Sequence, residues 1–231
     1  MRLTTLAFGV LLMALAALPS AAQITKEGAG AEAKYTFRKK YPEEGKLSYN
    51  LVFKKGEAEV DKGAYSLEYK LMKLDEEFHV LNYSIALTSL AAPFEVSLIA
   101  DPRGLAEEES KYPDYAESRI YYAVIGDCRV PEEAVAVGAR WELDKPGKDP
   151  AESFFHFVGI ERVGEVEVAV LEMGFQSVDK RTVVVAKIFL RTDDGTVQRA
   201  LFNRKKQTVS FDADGDKCEN TTENDVEVTR K

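Results

Sequence analysis

The residues best suited to bind a metal ion lie near the C-terminus. Asp212, Asp214 and Asp216 stand at alternate positions, and Glu223 occupies the twelfth place counted from Asp212. Carboxylates at places one, three, five and twelve are those of a calcium loop, because a hard cation takes several oxygen ligands on a tightly turning backbone. The sixth place, where such a loop needs glycine, is Lys217. An acidic hairpin end is therefore the alternative to a calcium site.

Other catalytic residue types do not form a recognisable motif. The chain has two histidines, His79 and His156, and contains no His-x-x-x-His or Cys-x-x-Cys spacing, which argues against a zinc hydrolase. Strand alternation puts His156 on the face opposite Phe155 and Phe157. A Ser-His-Asp triad or a carboxylate pair is compatible with the inventory, but no Gly-x-Ser-x-Gly turn is present. We therefore expect no enzymatic activity.

A basic cluster precedes the acidic C-terminal segment. It consists of Arg199, Arg204, Lys205 and Lys206. Neutralisation of the acidic segment is a sufficient reason for these charges. A site for a phosphate or anionic headgroup at the rim of a cavity is the alternative.

The two cysteines, Cys128 and Cys218, are predicted to form a disulfide. Their number is even and they lie 90 residues apart. Closing such a loop stabilises a fold by about 4–5 kcal/mol in the chain-entropy model. The alternative, a free reactive pair, lacks a supporting motif.

The first 22 residues predict export. Arg2 is followed by the apolar stretch 6–18 and by the small residues 20–22, the pattern of a cleaved signal peptide. No cysteine lies directly after that stretch, so we expect no lipid anchor and no transmembrane segment in the mature form. The net charge is −8 and becomes −9 without Arg2, which argues against a nucleic-acid partner. We expect a periplasmic or secreted protein of a bacterial envelope.

Residues 34–110 read as a meander of antiparallel strands. Apolar residues recur at every second position in three runs, which predicts strands with one buried face. Those runs are Leu47, Tyr49, Leu51 and Phe53; Tyr65, Leu67, Tyr69 and Leu71; and Leu81, Tyr83, Ile85 and Leu87. Residues 94–100 form a further strand.

A connector at 111–130 is predicted to hold the accessory helix. Asp114 and Glu117 form a capping-box signal, and Gly126 suits the far end. Helical spacing of Ile120 and Val124 favours a helix packed on a sheet. A lid over a cavity is the alternative.

Residues 137–211 read as a second meander, with strands at 153–163, 165–175, 181–192, 196–203 and 208–211. Its similarity to the first meander reflects either an internal duplication or the general likeness of antiparallel meanders. We place a single domain at 23–211. Residues 212–231 are predicted to be an acidic tail, solvated and partly disordered, with a strand possible at 225–229.

One short motif carries a resemblance. Val137-Gly138-x-x-Trp141 opens a strand after a connector containing Pro131, and a hairpin with Gly195 follows. This order resembles uncharacterised exported bacterial domains, which are similar to the curved half-barrels of lipoprotein-carrier and related envelope proteins. The resemblance covers most of the mature chain. It implies a sheet bent around an apolar concavity, a nearby helix and a lipid or acyl ligand, and it assigns no binding residue.

These observations predict an all-β antiparallel protein, a curved sheet, half-barrel or sandwich of two similar meanders with one accessory helix. We expect non-enzymatic binding of a lipid or other apolar or amphipathic small molecule in a concavity of the sheet, with no cofactor unless calcium binds. The alternative is a structural or protein-interaction module of the envelope with a packed core and an envelope protein as partner. A packed core with an exposed apolar patch or a free sheet edge favours the alternative.

Overall fold

The computed structural model describes residues 24–38, 44–73, 77–88, 91–101, 104–107, 130–142, 152–176, 180–212, 214 and 216–231. The predicted signal peptide at 1–22, Cys128 and the connector helix at 111–130, apart from Val130, lie outside these residues.

The described residues form fourteen strands and one turn of 3₁₀ helix at Gly30–Glu32. All strand pairings are antiparallel, which confirms the predicted all-β class. The strands are β1 Ile24–Glu27, β2 Lys34–Phe37, β3 Glu44–Lys55, β4 Ala58–Lys73, β5 Glu77–Leu87, β6 Phe94–Asp101, β7 Gly104–Glu107, β8 Val135–Ala136, β9 Arg140–Glu142, β10 Glu152–Val163, β11 Val166–Gln176, β12 Thr182–Arg191, β13 Val197–Phe211 and β14 Lys217–Arg230.

Eleven strands make one large sheet in the order β7-β6-β5-β4-β3-β14-β13-β12-β11-β10-β9, and β1-β2-β8 make a small one. Strands β3–β7 and β9–β14 are two consecutive meanders, as the alternation predicted. The first and last strands of the two meanders, β3 and β14, pair with each other and join the halves. The register aligns Leu47 with Leu67 and Leu67 with Tyr83, so the predicted apolar positions of three strands share one face.

The C-terminal segment differs from the predicted acidic tail, although the strand expected at 225–229 is present as the end of a longer strand. Residues 217–230 form β14, which lies between β3 and β13, and its Val226 and Val228 are buried. The acidic residues alternate with these valines and face the other side, where they meet bases of β13. The composition of this segment is acidic because one face of β14 is acidic. The domain therefore continues through Arg230.

Strand β13 also differs from its prediction. It runs unbroken from Val197 to Phe211, although the polar residues 204–207, three of them basic, suggested a gap between two shorter strands. The backbone stays extended because β12 and β14 pair with it through this stretch, as in the pairs Val184 with Arg204 and Arg204 with Asn224. Charged side chains fit there because successive residues point to opposite faces.

An aromatic cluster docks the small sheet onto the large one. Phe157 of β10 makes edge-to-face contacts with Tyr35 and Phe37 of β2, each with ring centroids 5.1 Å apart. Trp141 of β9 stacks on Phe155 at 5.8 Å. Phe37, Phe155 and Phe157 are fully buried, so this contact is part of the main core.

A polar network closes the β12–β13 hairpin. Arg191 Nε donates a hydrogen bond to Asp193 Oδ1 at 2.8 Å. From β14, Arg230 NH1 donates to Asp194 Oδ2 at 2.9 Å and to Thr196 Oγ1 at 2.7 Å. The buried Thr196 hydroxyl is thereby satisfied, and the end of β14 is tied to the hairpin.

This network predicts a small acid sensitivity. The hydrogen bond from Arg191 holds the pKa of Asp193 below its usual value. A depressed pKa stabilises the folded state above the pKa of the unfolded chain, about 3.9, and this contribution is lost as pH falls through the lower folded value. In acid unfolding curves, Asp193→Asn should lose a small part of that dependence, because the Asp193 side chain is 60% exposed. An unchanged curve together with an ordinary Asp193 pKa by NMR would contradict the contact.

Candidate functional site

The candidate site lies on the face of the large sheet that forms the core, called here the core face. One cross-strand row crosses the seam between the two halves of the molecule, and all its members are buried. In register order they are Phe53, Val226, Phe202, Ala186, Met173 and Phe155. Six strands therefore present one continuous apolar surface.

The middle of the core face is closed. In the neighbouring row, no side chain is more than 1% exposed, and a void wider than a water molecule would leave some of its walls accessible. The row consists of Leu51, Val228, Ala200, Ile188, Leu171 and Phe157. This part of the face is packed, and no ligand-sized hollow adjoins it.

The core face becomes polar and more accessible at one end. The next row places Val184 between Phe175 and Arg204, with Asn224 beyond Arg204, and the row after it pairs Thr182 with Lys206. Phe175, Thr182, Lys206 and Asn224 are half-buried. We call Phe175, Thr182, Arg204, Lys206 and Asn224 the basic end.

Among the residues whose burial is described, Arg204 is the one charged residue that is buried. It is 6% exposed, and the other buried polar residue of that set, Thr196, belongs to the hairpin network. Arg204 shares the core face with Phe202, two residues before it on β13. Removing a guanidinium from water costs several kcal/mol unless other groups compensate it, and Arg204 makes a further interaction within the fold.

The register separates the basic cluster predicted from the sequence into two pairs. Arg199 and Lys205 face away from the core and meet acids of β14. Arg199 NH2 lies 2.8 Å from Glu227 Oε1, and Lys205 Nζ lies 3.3 Å from Glu223 Oε1. Arg204 lies on the core face. Neutralisation of the acidic segment therefore explains Arg199 and Lys205 but not Arg204.

The predicted calcium ligands are not brought together. Asp212 Oδ1 accepts hydrogen bonds from the backbone N–H groups of Asp214 at 3.0 Å and Asp216 at 2.9 Å, which shapes the turn before β14. Glu223 lies six residues along β14 from Lys217, about 20 Å at the rise of a strand. It accepts a hydrogen bond from Asn203 at 2.8 Å, which lowers its pKa. Within the described ranges, no group of three acidic, histidine or cysteine side chains is arranged to hold a metal ion.

The remaining predicted residues lie apart from the basic end. His156 faces away from Phe155 and Phe157, as alternation predicted, and its Nδ1 is 3.2 Å from Glu172 Oε2. Cys218 lies on β14 as a free thiol. Its predicted partner, Cys128, is outside the described residues, so the disulfide stays a prediction. Arg204 was predicted only as a member of the basic cluster, and its cross-strand neighbours Val184 and Asn224 were not predicted.

Comparisons with known proteins do not place the chain in a family. No family model matches it, and no curated protein matches it. A DUF1329 family protein from Desulfovibrio piger, solved by crystallography, matches with 9% identity over 82% of this chain and 84% of that chain, at a TM-score of 0.26. This likeness is too low to carry over structure or function. In the part of the chain that the structure describes, no helix is long and apolar enough to span a membrane.

Proposed function

We propose that this chain is an exported, non-enzymatic binding protein whose core face takes up an apolar or amphipathic ligand through the basic end. The observation that carries the proposal is the continuity of the apolar face across both halves, together with its opening at one end. The rows are buried as far as Ala186 and Phe202, and half-buried Phe175 and Lys206 follow within four residues along the strands. Amphipathic ligands need this transition from apolar wall to polar rim.

Entry requires a change at the basic end, because the rows behind it are filled. A ligand chain would have to displace packed side chains of the core face or separate the core face from the groups that cover it. The binding free energy would be reduced by the cost of that opening. We therefore expect modest affinity for small apolar probes and higher affinity for ligands with longer chains.

Uptake of the neutral fluorescent probe N-phenyl-1-naphthylamine tests this proposal. Its fluorescence should rise on mixing with the protein, and Phe175→Ser should weaken binding by about tenfold because it replaces an apolar wall with a hydroxyl. The matched control is Phe211→Ser, since Phe211 is 70% exposed on the same hairpin as Arg204. Equal loss in both variants, or no fluorescence change with wild-type protein, would contradict uptake at the basic end.

A second candidate, a structural or protein-interaction module, is favoured by the filled middle of the core face. The opposite face of β12 also exposes two valines, Val183 and Val185, the latter by 49%. This candidate predicts a protein that carries no ligand and gives no probe fluorescence. The core would then serve stability alone.

A further inference from the structure

We infer that two copies of this chain associate through the free edge of β14. Residues 217–223 of one copy pair antiparallel with the same residues of the other, about a two-fold axis at Asn220. The inference does not depend on ligand uptake, because it concerns an edge of the large sheet and not its core face.

Strands β13 and β14 extend beyond their neighbours at the end of their hairpin. The last residue of β13 that pairs with β12 is Lys206, and the last residue of β14 that pairs with β3 is Asp225. Beyond these points the two strands pair with each other. We call residues 208–211 and 217–223 the arm. A two-stranded hairpin alone is only marginally stable in water, so a further strand beside the arm would stabilise it.

The edge of the arm formed by β14 is open. Among the described strands, none pairs with residues 217–223 on the side away from β13. Their side chains are exposed, apart from the half-buried Cys218. The segment contains no proline and no bulge, two features that keep an edge strand from pairing with another chain. An edge of this kind is a template for a further strand.

The direction of the backbone groups along this edge follows from β3. The N–H of Lys231 donates a hydrogen bond to the carbonyl of Ser48 on β3. In an antiparallel sheet the backbone groups of successive residues point alternately to the two neighbouring strands, and the register of β14 has no shift. In the arm, the N–H and C=O groups at the open edge are therefore those of Lys217, Glu219, Thr221 and Glu223.

One register of two such edges joins these groups without opposing like charges. A two-fold axis at Asn220 places Lys217 opposite the partner's Glu223 and Glu219 opposite the partner's Thr221. Opposite charges directly across two strands stabilise their pairing, and like charges weaken it. Moving the axis by one residue in either direction places Glu219 opposite a glutamate of the partner. The charges therefore select a single register.

The acidic turn of each copy would lie beside the basic end of β3 in the other copy. In this register the partner's Lys217 stands two positions, about 7 Å, from Lys54 along the edge of β14. The turn before the partner's β14 carries Asp212, Asp214 and Asp216. Strand β3 ends with Lys54 and Lys55. This second set of complementary charges favours a copy of the same chain over an unrelated peptide.

Backbone pairing supplies the affinity of this contact, and the charges supply its register. Within one copy Lys217 contacts Glu219, and Glu223 contacts Lys205. Exposed ion pairs such as these contribute little to stability, so exchanging a partner costs little. An interface limited to one strand edge and one turn is small, and small interfaces are weak or transient. We therefore expect a reversible dimer that forms as the protein concentration rises.

Sedimentation equilibrium of the full mature chain, from micromolar to millimolar concentration, tests the inference. The wild-type protein should pass from monomer to dimer. Thr221→Pro removes an N–H from the open edge and none from the pairing with β13, and it should weaken dimerisation by about tenfold through the two hydrogen bonds lost per dimer. A wild-type protein that stays monomeric throughout would overturn the inference.

The matched control is Val209→Pro on the other edge of the same arm. The N–H of Gln207 donates to the carbonyl of Arg181, so alternation directs the N–H of Val209 away from β14 as well. Val209→Pro should keep the dimer. If Val209→Pro abolishes the dimer, or if a folded Thr221→Pro protein dimerises as tightly as wild type, another surface is used and the inference is wrong.

A charge exchange tests the register and does not depend on proline being tolerated. Lys217→Glu and Glu223→Lys each place like charges opposite one another twice per dimer, so each variant alone should dimerise about tenfold more weakly than wild type. An equimolar mixture of the two variants restores both opposite-charge pairs and should form a heterodimer at the wild-type concentration. A mixture that associates no better than either variant alone would contradict the two-fold pairing at Asn220.

Discussion

Deleting residues 212–231 should prevent folding. These residues hold β14, the strand that joins the two meanders, so their loss leaves β3 and β13 with unpaired edges in the middle of the sheet. It also removes Val226 and Val228 from the core and uncovers the buried Leu51 and Phe202. We expect the truncated chain to lose its cooperative thermal transition, monitored by far-ultraviolet circular dichroism, and to aggregate.

A matched control separates the strand from its charge. Glu219→Gln with Glu223→Gln removes two exposed acids but keeps the whole strand, and we expect a change in the free energy of unfolding within about 0.5 kcal/mol for each site. A truncated protein that unfolds cooperatively near the wild-type temperature would show that the segment is a dispensable tail.

Phe157→Ala should cause the largest loss of stability among single substitutions in the aromatic cluster. Phe157 is fully buried and contacts both Tyr35 and Phe37 edge to face. Truncating a buried phenylalanine costs about 3–5 kcal/mol, and each aromatic pair adds about 0.5–1.5 kcal/mol beyond buried area. The free energy of unfolding in urea should therefore fall by at least about 3 kcal/mol.

The control for this substitution is Phe211→Ala. Phe211 is 70% exposed, so its truncation should change stability by less than about 0.5 kcal/mol. A loss below about 1 kcal/mol in Phe157→Ala would mean that the small sheet does not dock through this ring. An accompanying fall in the urea slope would instead indicate a more compact unfolded state.

Periodicity predicted the strands with regular alternation and failed where one face is charged. Leu47, Tyr49, Leu51 and Phe53 stand on the core face as their spacing indicated. In β14 the same period of two was present, with acids on one face and Val226 and Val228 on the other. Only 225–229 was expected as a strand, and the acidic composition concealed the remainder, because the average over a segment hides what alternate positions do.

The basic end could not have been predicted from local sequence. Arg204 lies between Val184 of β12 and Asn224 of β14, each 20 residues away along the chain. The order of the strands in the whole sheet decides which residues pair at that distance. This holds even more for the pairing of β14 with β3, which are far apart in sequence. If the predicted strand had been continued through residues 204–206, its alternation would have placed Arg204 and Lys206 on one face. Arg199 and Lys205 would have been on the opposite face.

Native mass spectrometry of the protein purified from its own exported fraction tests the central claim most directly. The spectrum is compared with that of the same sample after denaturation and extraction with organic solvent. Our proposal predicts a discrete additional mass that is lost on denaturation and that is identified in the extract as an apolar or amphipathic molecule. A ligand-free mass in both spectra would contradict uptake on the core face and favour the packed interaction module.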